Sequence, residues 1–387
     1  MNNYCKYLLS LSFLFVVFSC TDSINVRPTD YSMIDTILIN TEDCTYDVRD
    51  RIFKKVSYIK LETTENNLIG RINQLFFVDS TIVVVDKTIA KAVYLFDIQG
   101  NFKTKVSGLG RGPHEYLSLI HVFIDRDGHT IGINDIIKSE INYFDLDGRY
   151  VRTFNYDFPF NEVESLGGGL LVCNIHHGRF EEYPSLNDYS FVILDEDNKP
   201  EYVFGDDNST PEMNVSRNRN LYPSGNHVFC SVNFTNIIYE LTDSGAIARY
   251  QLKAVPEDLK DVSFKSSDEA IEYFHLHVDF PGFYVELKDY TILAIDVPEN
   301  GRQFFVYNHN NCETYRIPSD SSNPLMSFFS TPFFVGNDNS VVVSANSAAL
   351  IDLKNELNSF GLQDNRLEEL SNNLEMESNP VLILYEL

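Results

Sequence analysis

The feature that most constrains this chain is a phrase that recurs at nearly constant spacing. It consists of an apolar or aromatic pair, an aspartate, two further residues, a glycine and a second apolar stretch, as in YLFDIQGNFKTKV (94–106) and NYFDLDGRYVRTF (142–154). Weaker copies begin at residues 192, 238 and 305. Glycine and asparagine tolerate the positive φ of tight turns, so each copy predicts a β-hairpin. Successive turn residues are 48, 50, 47 and 66 positions apart, at Gly100, Gly148, Asn198, Gly245 and Asn311.

A second phrase precedes the hairpins and predicts two further strands in each unit. It is a short strand, a polar turn and an apolar strand that ends in Asp or Asn, as in FFVDSTIVVVD (76–86) and VFIDRDGHTIGIND (122–135). The two phrases together give six units of four strands. A four-stranded repeat of about 40–60 residues is typical of a β-propeller, in which neighbouring blades cover each other's faces. We therefore expect an all-β fold, a six-bladed β-propeller of four-stranded antiparallel blades.

Two segments interrupt this pattern and predict short helical insertions, near residues 256–278 and near residues 346–378. The first contains a Ser-x-x-Glu capping box, and the second has leucines spaced for one helix face. The chain then ends in an apolar strand at residues 381–387. We expect this strand to share a blade with residues 58–61 and so to close the ring.

The N-terminus has the pattern of an export signal. Lys6 precedes the apolar run LLSLSFLFVVF, which is too short for a helix across the roughly 30 Å hydrocarbon core of a bilayer. The cysteine that follows resembles the lipidation site of a bacterial lipoprotein. That resemblance implies cleavage before Cys20 and lipid on this residue, which anchors a protein stably when several acyl chains are present. An ordinary secretory signal with an incidental cysteine is the alternative.

These patterns divide the chain into a signal peptide at 1–19, an N-terminal tether at 20–45 and the propeller at 46–387. We expect an exported, membrane-anchored lipoprotein of the bacterial cell envelope, located at the outer membrane. The protein would contact the membrane through its N-terminal lipid only.

Charge and cysteine usage exclude two classes of function. The formal net charge of −26 repels nucleic acid, whose binding depends on Lys and Arg neutralising phosphates, so no nucleic-acid partner is expected. The cysteines after Cys20 are far apart and lack metal-site spacing. We expect them to be buried free thiols.

Specific stretches of the chain resemble known families. The glycine-rich GLGRGPHEY (108–116), with the strands and hairpin that follow it, resembles one unit of an NHL repeat. Residues 53–70, the GRGPHEY stretch and the terminal NPVLILYEL resemble six-bladed β-propeller lipoproteins of Bacteroidetes-type bacteria. This resemblance extends from about residue 46 to the end. It implies the fold and an envelope location, and it implies no chemistry.

The GRGPHEY stretch is not a phosphate loop, because it lacks GK[ST] and no helix follows it. It is expected to connect the outer strand of one blade to the inner strand of the next, as a structural linker. The alternative is that this loop face binds a ligand. Residues in this face that would project toward a partner are Arg111, His114, Glu115, Tyr116, His176 and His177.

Recurring acidic and amide residues at the strand ends raise the question of a metal. Asp86, Asp135 and Asp296 are three of them, and we expect them near the central channel or its mouth. Carboxylates that converge there would suit calcium, which takes six to eight oxygen ligands. The architectural alternative is that each residue caps its own turn by bonding local backbone.

Two functions of different classes remain. The first is a non-enzymatic binding module for a glycan, a peptide or an envelope protein, without a cofactor; the absence of a catalytic motif and the many Tyr and Phe residues favour it. The alternative is a calcium-dependent hydrolase or lyase that resembles gluconolactonase-like propellers, with Asp86, Asp135 and Asp296 as metal ligands. Fold analogy is the only support for the second function.

Overall fold

The computed structural model describes residues 25–42, 52–106, 108–175, 180–206, 219–317, 333–336 and 339–387. Strands dominate these residues, which also contain three short α-helices and a 3-10 helix at Pro184–Leu186. Among the described residues, no helix combines the length and the hydrophobicity needed to cross a bilayer.

Six four-stranded antiparallel sheets are arranged as the blades of a β-propeller, as the sequence predicts. Blades one to three contain β3 (Gln74–Val78), β4 (Thr81–Asp86), β5 (Ala92–Asp97), β6 (Phe102–Lys105), β7 (His121–Asp125), β8 (Thr130–Asp135), β9 (Glu140–Phe144), β10 (Tyr150–Asn155), β11 (Glu162–Gly167), β12 (Leu170–Asn174), β13 (Tyr189–Leu194) and β14 (Pro200–Asp206). Blades four and five contain β15 (Leu221–Ser224), β16 (His227–Cys230), β17 (Ile237–Thr242), β18 (Gly245–Val255), β19 (Tyr284–Glu286), β20 (Tyr290–Val297), β21 (Gly301–Asn308) and β22 (Glu313–Ile317).

The sixth blade joins the two ends of the propeller. Its strands are β23 (Phe334–Val335), β24 (Ser340–Ala345), β25 (Val381–Glu386) and, on the outside, β2 (Lys55–Lys60). β2 pairs antiparallel with β25 along its whole length, with Tyr58 opposite Ile383. The predicted ring closure is therefore confirmed.

Alternate residues of one strand pack against different blades. In β4, Ile82 and Val84 pack in a cluster with residues of blade six, whereas Val83 and Val85 pack in a cluster with residues of blade two. All four side chains are fully buried. A strand that is covered on both faces carries apolar side chains at consecutive positions, which explains the run IVVV. Each buried side chain of this size contributes about 1.5–3 kcal/mol.

Aspartate holds the recurring hairpins in shape. The Oδ1 atom of Asp97 accepts hydrogen bonds from the backbone N–H groups of Gln99 and Asn101, both at 2.9 Å. Gly100 takes a φ of +89°, and a Cβ atom there would lie 2.2 Å from the carbonyl oxygen of Lys60 in β2. The turn that begins at Asp145 repeats this arrangement, so the sequence phrase is a self-capping turn.

The N-terminal segment adds a strand that the sequence analysis assigned to the tether. This strand, β1 (Asp35–Asn40), pairs parallel with β18 as a fifth strand on the outer edge of blade four. Its alternating residues Ile37 and Ile39 are fully buried, and this burial stabilises the pairing. The pairing covers an edge that would otherwise be open to other strands.

The α-helices lie within the two predicted insertions: α1 (Ser267–Leu276), α2 (Ser347–Ser359) and α3 (Asn365–Ser371). Ser266 caps α1, since its hydroxyl accepts the N–H of Glu269. In α3, Leu367 and Leu370 are buried in the cluster between blades five and six.

The cysteines fit the sequence analysis in part. Cys173 and Cys230 are buried free thiols, and burial raises the pKa of both. Cys312 is exposed instead, because it occupies the turn between β21 and β22. Cys44 lies outside the described residues.

Candidate functional site

The six inner strands surround a central channel with a cavity volume of about 1380 Å³. Residues of all six blades line it. Each inner strand begins at the crossover from the preceding blade and ends at the first turn of its own blade. We call the end with Arg71 and Arg219 the crossover mouth, and the end with Asp79, Arg126, His227 and Lys288 the turn mouth.

The charge of the channel differs from that of the whole protein. The chain has 30 Lys and Arg residues against 56 Asp and Glu residues. The described residues of the lining reverse this balance, with six basic and five acidic side chains. They are Arg71, Arg126, Arg219, Arg249, Lys288 and Arg302, and Asp79, Asp125, Glu164, Glu240 and Glu286. Basic groups are therefore concentrated where the blades converge.

At the crossover mouth, buried Glu164 joins two basic side chains. Its Oε1 atom lies 3.2 Å from Nε2 of His121 and 3.3 Å from Nη2 of Arg219. Burial lowers the pKa of His121 despite the hydrogen bond to Glu164. Burial, and then the charge of Arg219, lower the pKa of nearby Lys87 to about 8. His121 and Glu164 are buried and contact each other, whereas the Arg219 side chain is 39% exposed.

At the turn mouth, blade two contacts blade four. The Nη2 atom of Arg126 donates to the backbone oxygen of His227 at 2.8 Å. The ring of His227 places Nδ1 2.5 Å from Oε1 of Glu240, and the second oxygen of Glu240 lies 3.6 Å from Nε of Arg249. One carboxylate therefore holds a histidine and an arginine side by side.

A third polar cluster lies in the channel wall at blade five. Glu286 accepts hydrogen bonds from the hydroxyls of Tyr284, Thr291 (2.7 Å) and Tyr250 (3.3 Å), and His309 lies 3.7 Å away. Burial raises the pKa of Glu286, although these partners oppose the shift. The cluster therefore satisfies the oxygen atoms of Glu286 within the channel wall.

The crossover loop of blade two is held by its own side chains. Tyr116 is fully buried, and its hydroxyl donates to the carbonyl of Lys91 at 3.0 Å. Glu115 accepts the N–H of Gly112 at 2.6 Å. His114 stacks on Tyr150 with ring centres 3.5 Å apart. Tyr116 therefore belongs to the core and does not face a partner, which is a correction to the predicted binding face. Arg111 is exposed, and ligand binding by it stays a prediction.

Asp86 and Asp135 end the second strand of their blades and do not line the channel, which corrects the expected position near the channel or its mouth. Each carboxylate accepts hydrogen bonds both from the crossover that leads into its blade and from the turn that follows its strand. Asp86 accepts backbone N–H groups of Gly70, Arg71, Thr88 and Ile89 at 2.8–3.2 Å.

Asp135 repeats this arrangement in blade two. It accepts from the N–H groups of Leu117, Ser118 and Ile137 and from the Ser118 hydroxyl at 2.6–3.2 Å. Asp296 instead forms a two-bonded ion pair with Arg302, both bonds 2.8 Å long. The oxygen lone pairs that calcium requires are thus used by N–H and O–H donors, and the three carboxylates do not fit that metal. Among the described residues, no group of three or more His, Cys, Asp or Glu side chains is placed to hold a metal ion.

Three predicted site residues, Cys20, His176 and His177, lie outside the described residues. Lipidation of Cys20 and ligand binding by the two histidines stay predictions.

The comparisons with known proteins agree with the fold. The model of a domain of unknown function, DUF4934, matches residues 35–386. The chain belongs to this family. No curated protein matches it. The match includes β1, so the family unit contains the outer strand of blade four.

Two solved structures are similar to this DUF4934 chain. A protein of Bacteroides fragilis that is named as exported is 18% identical, with a TM-score of 0.77, and the match covers 91% of this chain and 100% of that one. A DUF4221 member from Bacteroides vulgatus is 12% identical, with a TM-score of 0.54, and the match covers 87% and 98% of the two chains. Both similarities show the fold alone, and the likeness to NHL repeats stays a prediction.

Sequence reasoning missed the channel residues of this DUF4934 domain. It singled out the ends of the second strands, whereas the turn mouth is built from residues that follow the inner strands. The sequence feature that could have identified the turn mouth is a charged or histidine residue in the first turn of a unit, as in IDRDGH (124–129) and SGNH (224–227).

We predict that Asp86→Asn destabilises the DUF4934 domain by about 1–3 kcal/mol at pH 7. Burial alone would raise the pKa of Asp86, but the backbone hydrogen bonds outweigh it and hold the pKa below its usual value. A depressed pKa contributes stability that is present above the unfolded-state pKa, about 3.9, and is lost as pH falls through the folded-state value. The difference between native protein and variant should therefore shrink in acid, as measured by urea unfolding across pH.

The control is Asp188→Asn at an exposed position, which should unfold like the native protein at every pH. An Asp86→Asn variant of native stability at pH 7 would contradict the structural role.

Proposed function

We propose that the chain is an exported, lipid-anchored and non-enzymatic binding module of the cell envelope whose ligand is a glycan held in the central channel. The channel itself is the observation that carries this proposal. Its volume of about 1380 Å³ exceeds the roughly 300–1,000 Å³ of sites for small molecules. A space of that size suits an oligosaccharide better than a single small metabolite.

The lining of the channel favours a glycan. Half-buried rings of Phe76, Phe77 and Phe283 lie in its wall beside polar side chains. Flat aromatic faces stack on sugar rings, while a few placed polar groups fix orientation by hydrogen bonds to hydroxyls. A peptide and an envelope protein are the other ligands that the binding role admits.

Export is supported by the N-terminal signal pattern and by the similar Bacteroides fragilis protein that is named as exported. Near the N-terminus, the carbonyl of Asn25 accepts a hydrogen bond from the N–H of Val203 in β14. Arg27 packs over the ring of Tyr202 in the same strand. The five residue-to-residue steps from Cys20 to Asn25 span about 18 Å at most. A lipid on Cys20 would therefore keep the rim of blades three and four close to the membrane.

No observation favours the calcium-dependent hydrolase, because the oxygens of its proposed ligands are already hydrogen-bonded within the protein. These contacts favour the binding function over the hydrolase.

We predict that filling the turn mouth abolishes glycan binding. Asn226→Trp places a large ring in the exposed turn between β15 and β16, which lines the channel. The native protein should retain specific oligosaccharides on a glycan array, and the variant should lose at least about 90% of that signal because the entrance is blocked. Both proteins should have the same melting temperature.

The matched control is Gln99→Trp, in an exposed turn on the outer part of blade one, which should bind like the native protein. Undiminished binding by Asn226→Trp, or the absence of any glycan ligand for the native protein, would refute the proposal. Hydrolysis of the bound glycan would refute its non-enzymatic part.

We predict that Cys20→Ala removes the membrane anchor. In bacterial cells the native chain should incorporate labelled palmitate and sediment with membranes, since several acyl chains hold a protein there stably. The variant should lose the label and most of the sedimentation. Cys5→Ala, within the signal, is the control and should keep both; label on the Cys20→Ala variant would exclude lipidation at this residue.

A further inference from the structure

We propose that the turn mouth contains an anion site, formed by Arg126, His227 and Arg249, that binds the carboxylate of an acidic sugar residue. This inference rests on the proposed glycan-binding function and names the chemical class of the glycan. The three side chains come from blades two and four and all line the channel.

Arg126 is the central group of this site. A guanidinium carries five N–H donors, and the hydrogen bond from Arg126 to the backbone oxygen of His227 uses one of them. Among the described residues, no carboxylate lies within 4.0 Å of its nitrogens. Burial lowers the pKa of Arg126, with the charges of Glu164 and Asp127 opposing the shift. A half-buried cation that lacks an anionic contact is costly, and an incoming carboxylate would relieve that cost.

His227 and Arg249 are positioned for the same task. Glu240 contacts Nδ1 of His227 and Nε of Arg249, so it fixes both side chains from behind. Nδ1–H donates to Glu240, so Nε2 points away from Glu240, and this nitrogen donates to a ligand carboxylate when the ring is in its imidazolium form. The His227 side chain is 61% exposed, which leaves that nitrogen accessible from the channel. Glu240 is therefore a positioning residue.

The surroundings favour a singly charged ligand group. Asp79 lies at the same mouth, paired with His129 at 3.4 Å, and Asp127 adjoins Arg126. These carboxylates and the net charge of −26 oppose a doubly charged phosphate. The planar guanidinium fork matches a carboxylate with two parallel hydrogen bonds. A uronic acid combines that carboxylate with a ring that can stack on the aromatic wall.

The test compares two probes that differ in charge and in one methyl group per sugar unit. Isothermal titration calorimetry measures binding of tetragalacturonate and of its fully methyl-esterified form to the native protein. We expect the ester to bind at least about tenfold more weakly, because it cannot form charge-assisted hydrogen bonds with the site. Affinity for the acid should also fall as salt rises, since the contact is partly exposed.

Matched variants show which residue is responsible for the preference for the acid over the ester. Arg126→Gln keeps hydrogen-bonding capacity but removes the charge, and it should weaken tetragalacturonate binding at least about tenfold while leaving the ester unaffected. Arg149→Gln, in an exposed turn on the same face, should change neither. The melting temperature of each variant shows that it is folded.

Equal affinity for acid and ester, or native affinity of Arg126→Gln for the acid, would overturn the anion site. If Asn226→Trp still blocks other oligosaccharides in that case, the channel remains the glycan site and only its acidic specificity fails. Failure of both probes, with capture of neutral glycans or of an acidic peptide only, would equally overturn the inference.

Discussion

The pairing of β2 with β25 is the interaction on which the rest of the structure depends. These strands are more than 300 residues apart in the chain, and six residue pairs from Lys55–Glu386 to Lys60–Val381 join them. Each blade buries apolar side chains on both faces, so every blade requires two neighbours. An open ring would expose the cluster between blades six and one, which contains Leu75, Ile82 and Leu382. Closure therefore stabilises all six interfaces and also encloses the channel.

The channel follows from the same geometry. Radial packing brings one inner strand of every blade to a common axis, and residues distant in sequence meet there. Arg126 and His227 are 101 positions apart and are joined by a hydrogen bond. The protein is strongly acidic overall, yet basic side chains slightly outnumber acidic ones in the described lining, six to five. The charge balance of the channel therefore differs from that of the whole chain.

Local sequence patterns were sufficient to predict the blades. The aspartate turns and the apolar run of β4 depend on short-range chemistry that one sequence displays, and the closing strand follows from counting four strands in each unit. The pairing of β1 with β18 was not predicted, because a single strand carries no signal for a parallel partner more than 200 residues away. Tyr116 was assigned to a surface for a similar reason: a tyrosine in a glycine-rich loop looks exposed until its partner, the carbonyl of Lys91, is known. The candidate site forms where turns of blades two and four meet in three dimensions, and no sequence motif indicates that contact.

The proposed binding site lies inside the ring, at the turn mouth, and not on the crossover loop that the sequence first singles out. Hydrogen–deuterium exchange of the native protein, with and without tetragalacturonate, tests this most directly. If tetragalacturonate binds at the turn mouth, exchange should be slower at residues 124–129 and 223–228 and unchanged at residues 108–117. Slowing confined to residues 108–117, with unchanged exchange at both turns, would contradict it.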